Sequence, residues 1–545
     1  MTHLHGAGEE GAAPPPPLEG FEGFEKLSPH HPMGIAINHR GIRLVYDGAS
    51  HMGVLMSKEE LESARSFLQD PSKTPKDQAG RSLRDLVDRG FLPKGPLPSI
   101  GPSSLAEAAA LVDRYTSQVL IRKFCLKVTD RCNFRCTYCR GTHMTSPGPL
   151  RHMDIHTARK GLELYFGMYS RVFLKLSQRA RAWALRVCPP GLSWYGGEPL
   201  LNFQTVRLSA EAFLNLPWGE LGIPRESLRF SMNTNLSIMT DDMIDFLVRH
   251  DITLFASLDG PKDQHDLCRV LEDQTGTFDT AFRNLMRIKE LYPRYFSRRV
   301  SIFGVLTDRH DVQRCRSFTE SLGALRSVHF PERREGVFVR DPQGVIERVR
   351  LQGERMIEEM LETAKDDRSF PASPKAAPLY PFARMSFQRP LPYDPLKLTL
   401  TCPMGVDNLM VLPDGNLSIC HKAEVPSIGH VEGGIDRMAL ANLYLSYGET
   451  VTRHCSSCWA VRLCPVCAAS RITGSEERWD FINPSPAECR AIRAETAFRM
   501  RCFLALSIEL PGVARRIEEL AKDPSVNVGV LTVDSIERAA EDEGI

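Results

Sequence analysis

The chain reads as an α/β protein built on a parallel sheet with crossover helices, with a small α+β domain before the sheet and a cysteine-rich region after it. Three observations predict this. Strand-like runs alternate with helical ones from Phe124 to about Glu332. A shorter strand-and-helix region precedes them. Cysteines then gather at positions 402, 420, 455, 458, 464, 467 and 489. At 545 residues the chain exceeds one hydrophobic core and should divide into roughly two to four domains.

Taken in order, residues 1–20 are a flexible tail, rich in Gly, Ala and Pro, with a Pro14–Pro17 tract and nothing to bury. Residues 21–110 form a small domain. Gly34 to Tyr46 reads as two strands about a turn at Asn38–Gly41. Ser57 and Glu60 have the spacing of a capping box for a helix through Leu68, and 82–92 repeats the amphipathic pattern. Over 111–335, strands are expected at 124–128, 192–195, 228–233, 253–257, 300–305 and 327–330. Helices are expected at 155–170, 204–215, 240–250, 278–291 and 311–322. Strand–helix alternation of this kind makes a parallel sheet. Residues 336–400 hold a helix at 345–364 and a connector rich in Pro and aromatics; 401–495 carry the second cysteine group, and 496–545 are helical.

Composition narrows the function classes. Charge is balanced at 68 basic and 67 acidic residues, net +1, which offers no electrostatic case for nucleic acid or anionic membrane. No apolar run approaches the ~20 residues that span a bilayer, and the N-terminus lacks the apolar core of a signal peptide. The expectation is a cytoplasmic protein, in which fifteen cysteines argue for metal or redox chemistry rather than disulfides.

The most informative stretch is Phe124 to Cys139. A β-prone segment opens into a loop with Cys132, Cys136 and Cys139 at Cys-x3-Cys-x2-Cys spacing. Three thiolates on one tight loop can hold three irons of a 4Fe–4S cluster and leave the fourth open. A zinc loop or buried thiols is the plainer alternative, but x3 followed by x2 is unusual for zinc. With Tyr138 before the third cysteine, the run resembles the radical SAM signature. That resemblance implies a partial (β/α)6 barrel and a bare iron that chelates S-adenosylmethionine (SAM). One electron then cleaves SAM to methionine and a 5′-deoxyadenosyl radical.

Further motifs fall at the ends of the following strands. Gly196-Gly197-Glu198-Pro199 follows the second, and resembles the element that holds the SAM amino group. Asn233 ends the third, while Ser257 and Asp259 end the fourth; turn capping is the ordinary role of Asn and Asp at such places. By the same resemblance Ser257 matches a polar SAM contact and Arg269 the arginine that pairs with the SAM carboxylate. A planar guanidinium suits that task; a surface salt bridge is the alternative.

The C-terminal cysteines resemble the SPASM domain, which implies two auxiliary 4Fe–4S clusters. Carried over by position, Cys402, Cys420 and Cys467 would hold the first, and Cys455, Cys458, Cys464 and Cys489 the second. Two departures stand out. Only two residues separate Cys464 from Cys467, where the family usually has three, and no cysteine precedes Cys402 between Asp394 and Thr401. The first auxiliary cluster is therefore open at one iron or absent. A zinc ribbon is the alternative for the paired motifs. Asp414, in the turn of the hairpin at 410–419, and His421, just after it, are the candidate catalytic acid–base groups. Cys125, Cys188, Cys268, Cys315 and Cys502 read as packing residues.

The resemblance spans about residues 120–490 and implies a peptide or protein maturase. Its expected partners are a precursor peptide or protein and an electron donor such as flavodoxin or ferredoxin. The N-terminal strands and helices resemble the small winged-helix domains with which peptide-modifying enzymes hold a leader peptide; a packing domain covering one end of the barrel is the alternative. A sulfatase-maturating oxidase is the nearest competing activity, and those relatives begin almost at the radical SAM cysteines. A non-catalytic iron–sulfur carrier would explain the cysteines but not Gly196–Pro199, Ser257 or Arg269.

Overall fold

The computed structural model describes residues 24–28, 31–70, 72, 77–92, 101–139, 141, 149–331, 339, 341–373, 375–383, 385, 402–420, 427–473, 479–522 and 531–542. Its centre is an eight-stranded sheet in the order β10-β9-β8-β7-β6-β5-β11-β12. Strands β5 (Lys123–Thr129), β6 (Gly191–Gly196), β7 (Arg229–Thr234), β8 (Thr253–Ser257), β9 (Val300–Leu306) and β10 (Arg326–Pro331) all run parallel. They are the six strands that the alternation predicts. Helices Ile155–Phe173, Phe203–Leu214, Asp241–Arg249, Phe278–Leu291 and Val312–Ser321 connect them.

Period-two alternation decides which face is core. Phe124, Leu126 and Val128, Leu192 and Trp194, Phe230 and Met232, and Leu254 and Ala256 are buried under the helices. Trp194 stacks on Phe230 at 5.3 Å, and its indole N–H donates to Ser209 Oγ at 2.9 Å. Full burial of a large apolar side chain of this kind contributes about 2–3 kcal/mol. The intervening residues face the concave side of the sheet.

The predicted hairpin at 410–419 forms as β11 (Asn408–Val411) and β12 (Leu417–Ser418). It is also part of the barrel sheet, because β11 pairs in parallel with β5, with Met410 opposite Cys125. Sequence periodicity carries no signal for a partner nearly 300 positions away.

The N-terminal sheet has four antiparallel strands, β1 (Phe24–Ser28), β2 (His31–His39), β3 (Ile42–Asp47) and β4 (Met52–Met56). Only β2 and β3 were expected. Ser57 and Glu60 make the predicted capping box on the Lys58–Gln69 helix. One face of this sheet packs on that helix and on Gln78–Asp88 through Leu27, Val45, Met52 and Leu61. The other face shares a core with the Pro342–Asp366 and Pro486–Glu509 helices, through Ile35, Ile37, Leu44 and Tyr46. Tyr46 meets Trp459 edge-on at 6.3 Å. Gly48 lies so close to the Trp459 carbonyl that an added Cβ would stand 2.3 Å from it. The sheet is thus cemented to the C-terminal helices and the cysteine-rich loop.

Among the described residues, no helix is long and apolar enough to cross a membrane. Among the described residues no two cysteines are joined in a disulfide.

Candidate active site at the strand C-termini

The concave face of the sheet carries a row of polar residues beside an aromatic pair, Phe255 and Phe303, whose ring centroids are 4.7 Å apart. Cys125, Ser193, Ser231 and Thr253 lie in register across β5 to β8, and the Ser193 and Ser231 hydroxyls are 2.7 Å apart. One step along β5, Lys127 is buried and its Nζ pairs with Asp130 Oδ1 at 2.7 Å. An aromatic pair with a few converging polar groups is the lining of a ligand chamber rather than of a core.

The cysteine loop leaves the C-terminal end of β5, where sites on such sheets lie. Cys136 is buried, and Cys132 and Cys139 are half-buried. Backbone N–H groups of Phe134 and Gly141 donate to Cys132 Sγ at 3.4 Å and to Cys139 Sγ at 3.3 Å. Burial pushes the Cys132 thiol up to about 11 and Cys136 to about 12. Cys139 raises both of the others and Cys132 raises Cys136, so the thiols share one electrostatic neighbourhood. Buried thiols resist ionisation unless a metal takes the thiolate. N–H donors at two sulfurs and a nearby guanidinium favour that bound form, so the donor set fits an iron–sulfur cluster. Among the described residues, no three His, Cys, Asp or Glu side chains converge as the ligands of a single ion do. A cubane takes each thiolate on a different iron and asks for a wider triangle.

Gly196 and Gly197 pack directly on this loop. A Cβ on Gly197 would lie 2.3 Å from the Arg131 carbonyl oxygen and 2.8 Å from Cys132 Cβ. Glycine is required there by close approach. Glu198 points inward and is fully buried. It accepts from the Asn235 N–H at 2.7 Å, the Thr234 hydroxyl at 2.8 Å and the Leu200 N–H at 3.1 Å. Desolvation raises it to about 7 despite those bonds. Its carboxylate therefore ties β6 to the end of β7 from behind the loop. Pro199 starts the short 3-10 turn Pro199–Asn202 that follows.

The Tyr138 hydroxyl donates to Asp259 Oδ2 at 2.7 Å, and the Val305 N–H donates to Asp259 Oδ1 at 2.8 Å. Arg269 Nε lies 3.0 Å from Asp259 Oδ2, an ion pair rather than an aligned hydrogen bond. The guanidinium also sits 5.5 Å from the Tyr138 ring centroid. Asp259 is fully buried, so its carboxylate is committed within the protein and positions Arg269. The ion pair uses Nε, which leaves the other edge of the Arg269 fork for a second partner. Among the cysteines, Cys136 and Cys139 feel the positive charge of Arg269. Ser257 and Asn233 are half-buried near the ends of β8 and β7, on the concave face.

Two groups here carry no motif. The Asn235 amide lies 3.8 Å from Cys132 Sγ and donates to Asn133 Oδ1 at 3.1 Å. Lys127 adds positive charge near Cys139. A lysine in an otherwise apolar strand run was the available signal for the second; nothing marked the first.

Asp414 lies in the turn after β11, where it accepts from Arg151 Nη1 at 2.7 Å and from the Asn416 N–H at 3.1 Å. His421 falls outside the described residues.

Cys455, Cys458, Cys464 and Cys489 form one group. Cys455 feels the charge of the other three, and burial holds it at about 12. Cys489 Sγ is 3.6 Å from His454 Nε2. Cys402 precedes β11, Cys420 closes the hairpin and Cys467 starts the Ala468–Arg471 turn. Cys420 lies near enough to Cys125 for their charges to interact.

Residues 126–313 match the family model of the Radical SAM superfamily. An uncharacterised protein of Methanocaldococcus jannaschii is 23% identical over 155 residues, 28% of this chain and 44% of that protein. The radical SAM cyclopropyl synthase TigE of Paramaledivibacter caminithermalis is 22% identical over 181 residues, 33% of this chain and 35% of TigE. The matched stretch thus spans less than half the length of these curated relatives. Among solved structures, native anSMEcpe with bound AdoMet and Cp18Cys peptide aligns at 15% identity and a TM-score of 0.47, covering 72% of this chain and 99% of that one.

Proposed function

We propose that this chain, which carries a radical SAM domain over residues 126–313, is a maturase that modifies a ribosomally made peptide. The domain makes it an enzyme whose cofactors are a 4Fe–4S cluster and SAM. When bound, these supply a 5′-deoxyadenosyl radical that removes hydrogen from an unactivated carbon. In this reading Cys132, Cys136 and Cys139 hold three irons. Gly196 and Gly197 let backbone carbonyls approach the SAM amino group. Arg269, held by Asp259 and Tyr138, offers the free edge of its fork to the SAM carboxylate. Ser257 and Asn233 face the same chamber with hydrogen-bonding groups. Asp414 stands in the turn after β11, already held by Arg151.

The observation that carries the reading is the meeting of the cysteine loop and Arg269 at the C-terminal ends of parallel strands, above the concave face. The test is anaerobic release of 5′-deoxyadenosine from SAM under reduction by dithionite. Replacing all three loop cysteines with Ala should abolish it. Undiminished release by that variant overturns the assignment.

A peptide substrate is supported by the N-terminal sheet, which ends in β4 with Leu55 54% exposed. An extended peptide can add to such an edge through main-chain hydrogen bonds. Amide deuterium uptake over Met52–Met56 should fall when a candidate precursor peptide is added. Unchanged uptake there removes the recognition role.

A further inference from the structure

Two buried guanidiniums sit beside the four-cysteine group without, among the described residues, a carboxylate to balance them. Arg471 is 0% exposed and lies against the thiols of Cys455 and Cys464. Its Nη1 donates to Asn483 Oδ1 at 2.9 Å, its Nε has no hydrogen-bond partner, and its guanidinium is 6.0 Å from the Tyr447 ring centroid. Arg493, on the Pro486–Glu509 helix, is 6% exposed with Nη2 unpartnered, and its charge reaches Cys489. Among the described residues neither arginine forms an ion pair with Asp or Glu. A buried, unbalanced cation is costly, by several kcal/mol per ion after relaxation. Two of them at one place favour an anion there. Four neutral thiols do not provide it. Four thiolates around a 4Fe–4S core leave a net charge of about −2, which becomes −3 on one-electron reduction.

We propose that Arg471, assisted by Arg493, is the built-in counter-charge of a cluster held by Cys455, Cys458, Cys464 and Cys489, and that it sets how readily this cluster accepts an electron. The proposal rests on the iron–sulfur reading of these four cysteines. It adds a consequence that a packing role lacks. A cation beside the sulfurs stabilises the more negative reduced state more than the oxidised one, so it raises the midpoint potential. The electron delivered is the only charge that changes, and no proton or bond change accompanies it.

The test uses the full-length chain, anaerobically reconstituted, with Cys132, Cys136 and Cys139 replaced by Ala so that the SAM-binding cluster does not overlap. The signal of the four-cysteine cluster is the one that a further Cys489→Ala change removes. Its reduction is followed by electron paramagnetic resonance during a redox titration. Arg471→Gln should keep the iron and lower the reduced-to-oxidised ratio at fixed potential at least tenfold, a negative shift of about 59 mV for one electron. Arg471→Lys should restore most of the shift. Arg493→Gln should shift it the same way, by less. An unchanged midpoint in an iron-replete Arg471→Gln protein overturns the proposal. If Gln loses the cluster, retention in Arg471→Lys at the wild-type midpoint supports it. Loss in both shows that guanidinium shape, not charge, is what the site needs, and overturns it. Zinc in place of iron at these cysteines in the parent protein fails the cluster reading itself, a different outcome from any of these.

Discussion

Around Cys132, Cys136 and Cys139 the buried cations have carboxylate counterparts, with Arg269 facing Asp259 and Lys127 facing Asp130. Around Cys455, Cys458, Cys464 and Cys489, Arg471 and Arg493 have none among the described residues. Both sites bury thiols that are hard to ionise without a metal. They differ in what else they are built to receive. In the proposed reading the first receives a small ligand that brings its own ammonium, carboxylate and sulfonium, and the second is completed by a bound anionic cluster.

Metal content breaks this comparison most directly. On four irons per cube, the reconstituted chain should hold about twelve irons, or about eight if the first auxiliary cluster is absent. Replacing Cys132, Cys136 and Cys139 should remove about four and all SAM cleavage. Replacing Cys464 and Cys489 should also remove about four. If the parent holds about four irons together with zinc, the second site is a structural ribbon and the contrast disappears.

Much of the first site was legible in the sequence because its parts are local. A strand, a cysteine loop and a Gly-Gly-Glu-Pro turn each announce themselves within a few residues, and the six parallel strands follow from alternation alone. What stayed hidden depends on side chains meeting across long separations. Glu198 could not be known to face inward until Thr234 and Asn235 were placed beside it. Arg471 sits in no motif, and only the fold brings it to Cys455 and Cys464. The pairing of β11 with β5 and the shared core of the N-terminal sheet with the Pro486–Glu509 helix were hidden for the same reason.

Glu198 offers a pH-dependent way to sharpen the comparison, since it is the buried acid behind the first site with no cation against it among the described residues. Its carboxyl is raised from 4.5 to about 7 by desolvation. The folded state therefore binds a proton more tightly than the unfolded state does. Stability from this group is greatest below pH ~4.5, falls as pH rises toward 7, and levels off above it. At 1.36 kcal/mol per unit the loss is about 3 kcal/mol. Glu198→Gln, which cannot ionise, should flatten the decline of Tm between pH 5 and pH 7. An equally steep decline in the variant would show that Glu198 is ionised throughout and paired with a cation outside the described residues.

The smallest expected effect concerns Arg269, and it separates a balanced site from a merely occupied one. If the Asp259 ion pair on Nε holds the fork so that its other edge meets the SAM carboxylate, charge alone is not enough at this position. Lys keeps the charge and loses the planar pair of donors. Arg269→Lys should then weaken SAM binding about tenfold, ~1.4 kcal/mol, while iron content and Tm stay close to the parent. Isothermal titration with SAM on the reconstituted protein reads the affinity directly. Asp259→Asn should give a comparable loss by another route, because it leaves the guanidinium charged but no longer held. Equal SAM affinity in Arg269→Lys would mean that the arginine serves only to neutralise Asp259. The carboxylate of the ligand would then have to be met elsewhere on the concave face, where buried Lys127 is a further cation near the cysteine loop.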